Sequence, residues 1–159
     1  MTVDRTALIG RPLRTATYAV SEVDVNDFLG VVTEPEAMAV AAVEDLASTG
    51  DDAMTTLPRT VPPSFAPFVA VLGLLKTFDW QEDFLFDYRT GTAMFGEQSI
   101  EFHRPLLVGE SVAISAAISD VYEKQGKQTF DVVEVAFEIK SREEGDLLMS
   151  GQQSYILFK

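Results

Sequence analysis

The chain has 159 residues, and at the usual ~100–200 residues per domain a single domain spanning 1–159 is expected. Its 47% hydrophobic content, with 11 Phe, 4 Tyr and 1 Trp, supplies a packed core and excludes a disordered chain. Against 12 Lys plus Arg stand 25 Asp plus Glu, and the formal net charge of −13 argues against nucleic acid or anionic lipid as a partner.

Thr15 to Val20 (TATYAV) is rich in β-formers and predicts a strand. Ser21 then supplies an N-cap for a helix with apolar spacing at Val25, Phe28, Leu29 and Val32. Pro35 interrupts that pattern, after which Glu36 to Ala47 is dominated by helix formers and stops before Gly50. Ser48 to Pro63 has the composition of a loop, and loops of that length in compact domains are often either mobile or functional. Ser64 to Phe78 (SFAPFVAVLGLLKTF) predicts the next helix; it has almost no polar face, so burial on nearly all sides is expected. Pro67 falls in its first turn, where proline is tolerated, and Gly73 permits close backbone approach.

Arg89 to Gly96 (RTGTAMFG) reads as a glycine-containing connection, and from residue 98 the period changes to two. Ile100 and Phe102 alternate with Ser99, Glu101 and His103 before Arg104-Pro105 and Gly109 punctuate the chain. Val112, Ile114, Ala116 and Ile118 share one face of a long strand. Lys124 to Lys127 reads as a hairpin turn, with Gly126 able to take positive φ. In the partner strand Phe130 and Val132 are in one phase and Val133, Val135, Phe137 and Ile139 in the other, which predicts a bulge near Val132-Val133. Arg142 to Asp146 makes a further turn, and Leu147 to Phe158 supplies a last strand. An α+β chain of this order is satisfied by a hotdog fold, an antiparallel sheet wrapped around one long apolar helix.

Several chemistries lack support. With no Cys there are no disulfides, thiolate metal sites or Cys nucleophiles, and a single His, His103, removes most zinc sites. The P-loop, dinucleotide, serine-hydrolase and HExxH motifs are absent, so neither a cofactor nor a metal is implied. The longest apolar run, Phe65 to Leu75, has 11 residues, short of the ~20 that span a bilayer. The N-terminus lacks the pattern of a secretory signal, and a cytoplasmic setting is expected.

Val61 to Phe68 (VPPSFAPF), Gly96 to Glu110 (GEQSIEFHRPLLVGE) and Ser119 to Ile156 resemble the N-terminal-type domain of MaoC-like dehydratases. These are hotdog proteins related to (R)-specific enoyl-CoA hydratases and mycobacterial 3-hydroxyacyl-ACP dehydratase subunits. The order and spacing of Val61-Pro62-Pro63-Ser64-Phe65 and Arg104-Pro105-Leu106-Leu107-Val108-Gly109-Glu110 carry the resemblance. Catalytic members use an Asp and a His in a D-x-N-P-x-H pattern soon after the first short helix. The corresponding stretch, Val32 to Ala37, keeps only Pro35; Val32 stands in place of the Asp and Ala37 in place of the His, so the family's acid–base pair is missing.

The resemblance therefore implies a non-catalytic, acyl-binding subunit of a heteromeric (R)-specific enoyl-thioester hydratase or 3-hydroxyacyl-thioester dehydratase. A catalytic MaoC-like hotdog subunit, or a second copy of the chain, is the implied partner. Pro63, Phe65, Phe68, Phe95 and Gly96 are the candidate acyl-binding residues, with no catalytic residue assigned. The start of the apolar helix would also present backbone N–H groups to a thioester oxyanion. An acyl-CoA is favoured over an acyl-ACP, because an acidic carrier protein is repelled by the −13 charge; Arg89, Arg104, Lys124 and Lys127 are the scarce cations for CoA phosphates. A homodimeric acyl-thioester binding module and a hotdog thioesterase are the alternatives. For His103, alternation predicts a surface or interface position on the outer face of the sheet.

Overall fold

A computed structural model describes residues 5–32, 59–78 and 93–158. A 3₁₀ turn (Arg5–Leu8) precedes strand β1 (Ala16–Ala19) and helix α1 (Glu22–Val32). Ser21 caps α1 as its sequence predicts: the Asp24 N–H donates to Ser21 Oγ at 3.0 Å, satisfying one of the donors that a helix start leaves open. A second 3₁₀ turn (Pro63–Phe65) runs directly into α2 (Ala66–Thr77). Strands β2 (Ala93–Phe102), β3 (Ser111–Gln125), β4 (Thr129–Ser141) and β5 (Leu147–Phe158) follow. The helix predicted over 36–47, the aligned positions 33–37 and the loop residues 89–92 lie outside the described residues.

All five strands join one antiparallel sheet in the order β1-β3-β4-β5-β2. The alternation becomes the core: Val112, Ile114, Ala116 and Ile118 of β3 and Val133, Val135, Phe137 and Ile139 of β4 are all buried. Helix α2 lies against β1 and β3 and closes this face, which is the hotdog arrangement. Gly73 is the point of closest approach, because a Cβ there would stand 2.6 Å from Ile114 Cδ1. Among the described residues no helix is long and apolar enough to cross a membrane.

The structure corrects four local expectations. Helix α2 is not buried on nearly all sides: Ala66, Val69, Ala70, Gly73 and Leu74 are covered, whereas Phe68 and Leu75 remain exposed at 44% and 38%. A sheet covers only one side of a helix, so a second apolar side needs another cover. The bulge falls in β3, between Ile118 and Asp120, rather than at Val132-Val133. Phe130 and Val132 are apolar on the opposite face for a separate reason, since the Phe130 ring meets Phe158 at 5.8 Å beside the Val132–Ile156 pair. At the β3–β4 turn Gly126 has no positive φ, because β3 runs on to Gln125 and three residues make the connection. Finally, Phe95 and Gly96 belong to β2, which starts at Ala93, and not to a loop.

Two buried phenols link this core to pH. Tyr18 donates its hydroxyl to Asp24 Oδ2 at 3.1 Å, and its pKa is pushed up to about 12 by burial first and then by Asp24. Burial likewise raises Tyr155, whose ring packs edge-on against Phe78 at 5.1 Å. Both stand above the ~10 of an unfolded tyrosine, so between these values the folded chain retains protons that the unfolded chain releases. The stability they contribute is complete below pH ~10 and is lost as pH rises through the folded values. Denaturant midpoints are expected to fall steadily from pH ~10 towards pH ~12, and less steeply in Tyr18→Phe; identical slopes in the two proteins would contradict the assignment.

Candidate functional site

The two sequence stretches that carry the resemblance meet in space. Val61 N–H donates to Leu106 O at 2.7 Å and Val108 N–H to Arg59 O at 2.9 Å, with Thr60 and Leu107 bridged between them. This short antiparallel contact sets Pro63 and the start of α2 against the end of β2. A cleft of about 360 Å³ remains between them, with Val61, Pro63, Phe102 and Leu106 as apolar walls and His103 and Arg104 at its polar side. Its lining is mostly apolar with a few polar groups, the usual character of a small-molecule site.

His103 reaches this cleft because β2 ends one residue earlier. The N–H groups of His103 and Arg104 both donate to Leu148 O, at 2.9 and 3.2 Å, and the chain bends away from the strand. Consecutive residues Phe102 and His103 therefore both border the cleft, which strict alternation forbids. The exposed imidazole keeps the outer-face contact that alternation predicts, with Nε2 2.8 Å from Ser150 Oγ. That is its one hydrogen bond among the described residues, so no carboxylate there orients it as a general base.

Arg104 is occupied by acids. Its Nη2 lies 2.7 Å from Glu110 Oε1 and 3.0 Å from Glu144 Oε2, and its Nε 3.7 Å from Asp146 Oδ2. Glu110 Oε2 also accepts the Leu107 N–H at 3.0 Å, so the pair closes the turn in which Gly109 takes φ +86°. A phosphate would have to displace these carboxylates, which removes Arg104 as a CoA contact. The start of α2 is similarly poor in free donors: Pro63 and Pro67 have no N–H, and those of Phe65 and Ala66 donate to Pro62 O and Pro63 O. The expected oxyanion site at this turn therefore loses the N–H groups of Phe65 and Ala66.

The remaining candidate residues fall into separate places. Phe65 is fully buried, with its ring 5.3 Å from Phe28 and 5.5 Å from Phe68, so it supports the wall from behind. Phe68 leaves this cluster half-exposed on the open side of α2. Phe95 stands opposite Tyr155 at the far end of β2, roughly 20 Å along the strand from Phe102. Gly96 sits in the irregular stretch between Phe95 and Gln98, where a Cβ would collide with Ser154 Oγ.

A family model for the FAS1-like dehydratase domain region matches residues 7–149. The chain belongs to this family. No curated protein matches it, but solved structures share its fold. The C-terminally truncated HadBC (3R-hydroxyacyl-ACP dehydratase) complex from Mycobacterium tuberculosis is 22% identical with a TM-score of 0.60, covering 96% of this chain and 98% of that one. The MaoC-like dehydratase from Rhodospirillum rubrum has a TM-score of 0.63 at 8% identity, covering 100% and 98%. The ChsH1-ChsH2 complex from Mycobacterium tuberculosis has a TM-score of 0.55 at 17% identity, covering 98% and 86%. The chain is thus a FAS1-like dehydratase-region chain with the hotdog fold, and two of these solved structures are complexes.

In this dehydratase-region chain, sequence reading missed one buried polar pair. Gln153, 1% exposed on the inner row of β5, accepts from Gln98 Nε2 at 3.4 Å, while its own Nε2 and the Tyr155 hydroxyl find no partner among the described residues. Unpaired buried donors are costly and draw a water or a ligand polar group. The signal was present in the sequence: a glutamine occupies an inner position where the alternation of β5 calls for an apolar residue.

Proposed function

We propose that the chain is the non-catalytic, acyl-binding subunit of a heteromeric (R)-specific enoyl-thioester hydratase or 3-hydroxyacyl-thioester dehydratase. The observation that carries this reading is the cleft at the start of α2, which among the described residues has apolar walls, an imidazole and no carboxylate hydrogen-bonded to that imidazole. Such a cleft can hold an acyl chain, and its described residues do not include the paired acid and base that add water across an enoyl double bond. The missing family pair at Val32 and Ala37 points the same way, as do the paired chains of HadBC and ChsH1-ChsH2. Pro63, which lines the cleft, is the acyl contact in this reading, with Phe68 on the open side of α2 as a second contact, Phe65 behind them and Phe95 and Gly96 at the opposite end of β2. The net charge of −13 favours a CoA thioester over an acidic carrier protein.

The test is hydration of a trans-2-enoyl-CoA series, followed by loss of enoyl-thioester absorbance, with the chain alone and after co-expression with a catalytic hotdog subunit from the same genome. Activity only in the mixture, unchanged by His103→Ala, is the expected result. Turnover by the chain alone, abolished by His103→Ala, would place the acid–base group in this cleft and overturn the reading.

A further inference from the structure

The buried polar residues Gln153 and Tyr155 lie towards the far end of α2 from the cleft. Both belong to the inner row of β5, two residues apart, and the Tyr155 ring packs against Phe78, which follows the last turn of α2. The cleft opens at the start of the same helix, so the length of α2, roughly 18 Å, separates the two places. Between them the facing inner rows of β2 and β5 present Phe102, Ile100 and Met149. Phe102 is half-exposed and Ile100 and Gln98 are half-buried, so among the described residues this row leads from the cleft to the polar pair as a partly open apolar strip.

The chemistry at the end of the strip is that of donors. Gln153 Oε1 accepts from the Gln98 amide at 3.4 Å, which leaves Gln153 Nε2 as a donor with no acceptor among the described residues. The Tyr155 hydroxyl is equally unpaired there, and burial keeps it protonated and able to donate. Leaving a buried donor unpaired costs more than a typical hydrogen bond contributes, so both groups favour a ligand atom that accepts. A hydrocarbon tail carries no such atom, whereas a keto or hydroxyl oxygen does. Its place on an acyl chain follows from the distance: β2 runs ~13 Å from Phe102 at the cleft to Gln98 beside Gln153, which puts the oxygen well away from a thioester held at the cleft.

We propose that Gln153 and Tyr155 form a polar subsite for an oxygen, keto or hydroxyl, carried on the acyl chain remote from its thioester. The inference rests on the acyl-binding reading above and adds to it the class of acyl group. The test is calorimetric titration of the chain, and of its co-expressed assembly with a catalytic hotdog subunit, with dodecanoyl-CoA and a series of its keto-substituted isomers. Isomers with the keto group towards the tail are expected to bind about tenfold tighter than dodecanoyl-CoA, and those with it beside the thioester no tighter. Gln153→Met and Tyr155→Phe each reduce that preference and the double variant loses it, while affinity for dodecanoyl-CoA stays within about twofold and thermal stability is unchanged or raised, since each substitution removes an unpaired donor. Equal affinity for plain and keto-bearing chains in the wild type, or a preference that survives the double variant, overturns the proposal and leaves water as the occupant. If circular dichroism shows Gln153→Met unfolded, Tyr155→Phe decides alone, and an unchanged preference in it overturns the proposal. Binding of dodecanoyl-CoA without the preference leaves the acyl-binding reading standing, whereas binding of none of these thioesters overturns both.

Discussion

Phe65→Ala is expected to lower the unfolding free energy by about 3–5 kcal/mol, the range for removing a buried phenylalanine. The side chain is fully buried where the 3₁₀ turn meets α2, and it touches Phe28 of α1 and Phe68 of α2. Its loss opens a cavity and removes two aromatic contacts worth about 0.5–1.5 kcal/mol each beyond area burial. Against a total stability of about 5–15 kcal/mol, that is a large fraction. Thermal denaturation should show a fall in Tm on the order of 10 °C for a chain of this length. Phe68→Ala is the control: its ring is 44% exposed, so stability changes by only about 1–2 kcal/mol, while binding of the acyl thioester to the assembled enzyme weakens. Equal losses of stability in the two variants would contradict the division of labour between them.

Arg104→Ala is expected to cost about 1.5–3 kcal/mol, through one of its three carboxylates. The Glu110 side chain is 9% exposed, so removing the guanidinium leaves a charge that water reaches poorly. Glu144 and Asp146 are more than half exposed and should each contribute under ~1 kcal/mol. Double-mutant cycles measured by denaturant unfolding separate these cases. Coupling of Arg104 to Glu110 should approach the full cost of the single variant, and coupling to Glu144 should be small. The reverse order would mean that Arg104 acts at the surface instead of closing the Leu107–Glu110 turn. Because that turn carries Leu106 beside Val61, the same variant should also loosen the cleft and weaken acyl binding.

Much of the fold was legible because its causes are local. Ser21 caps α1 through a bond that spans three residues, and the period-two runs of β3 and β4 require only that one face be buried. Gly145, with φ +77°, turns the chain within the predicted 142–146 segment. The candidate site was legible in part. Pro63, singled out from its motif, lines the cleft, while the position of His103 there was obscured because alternation holds only inside a strand, and β2 stops at Phe102.

The sequence by itself therefore determined the elements, the buried faces and the class of fold, since periodicity, capping and turn chemistry act over a few residues. Tertiary structure alone decided that residues 59–61 would lie beside 106–108, creating the cleft, and that the bulge would fall in β3 rather than β4. It also decided which side of α2 leaves Phe68 and Leu75 exposed and that β2 ends the sheet among the described residues. These outcomes depend on which distant segments become neighbours, and that choice follows from burying many apolar faces at once rather than from any local pattern.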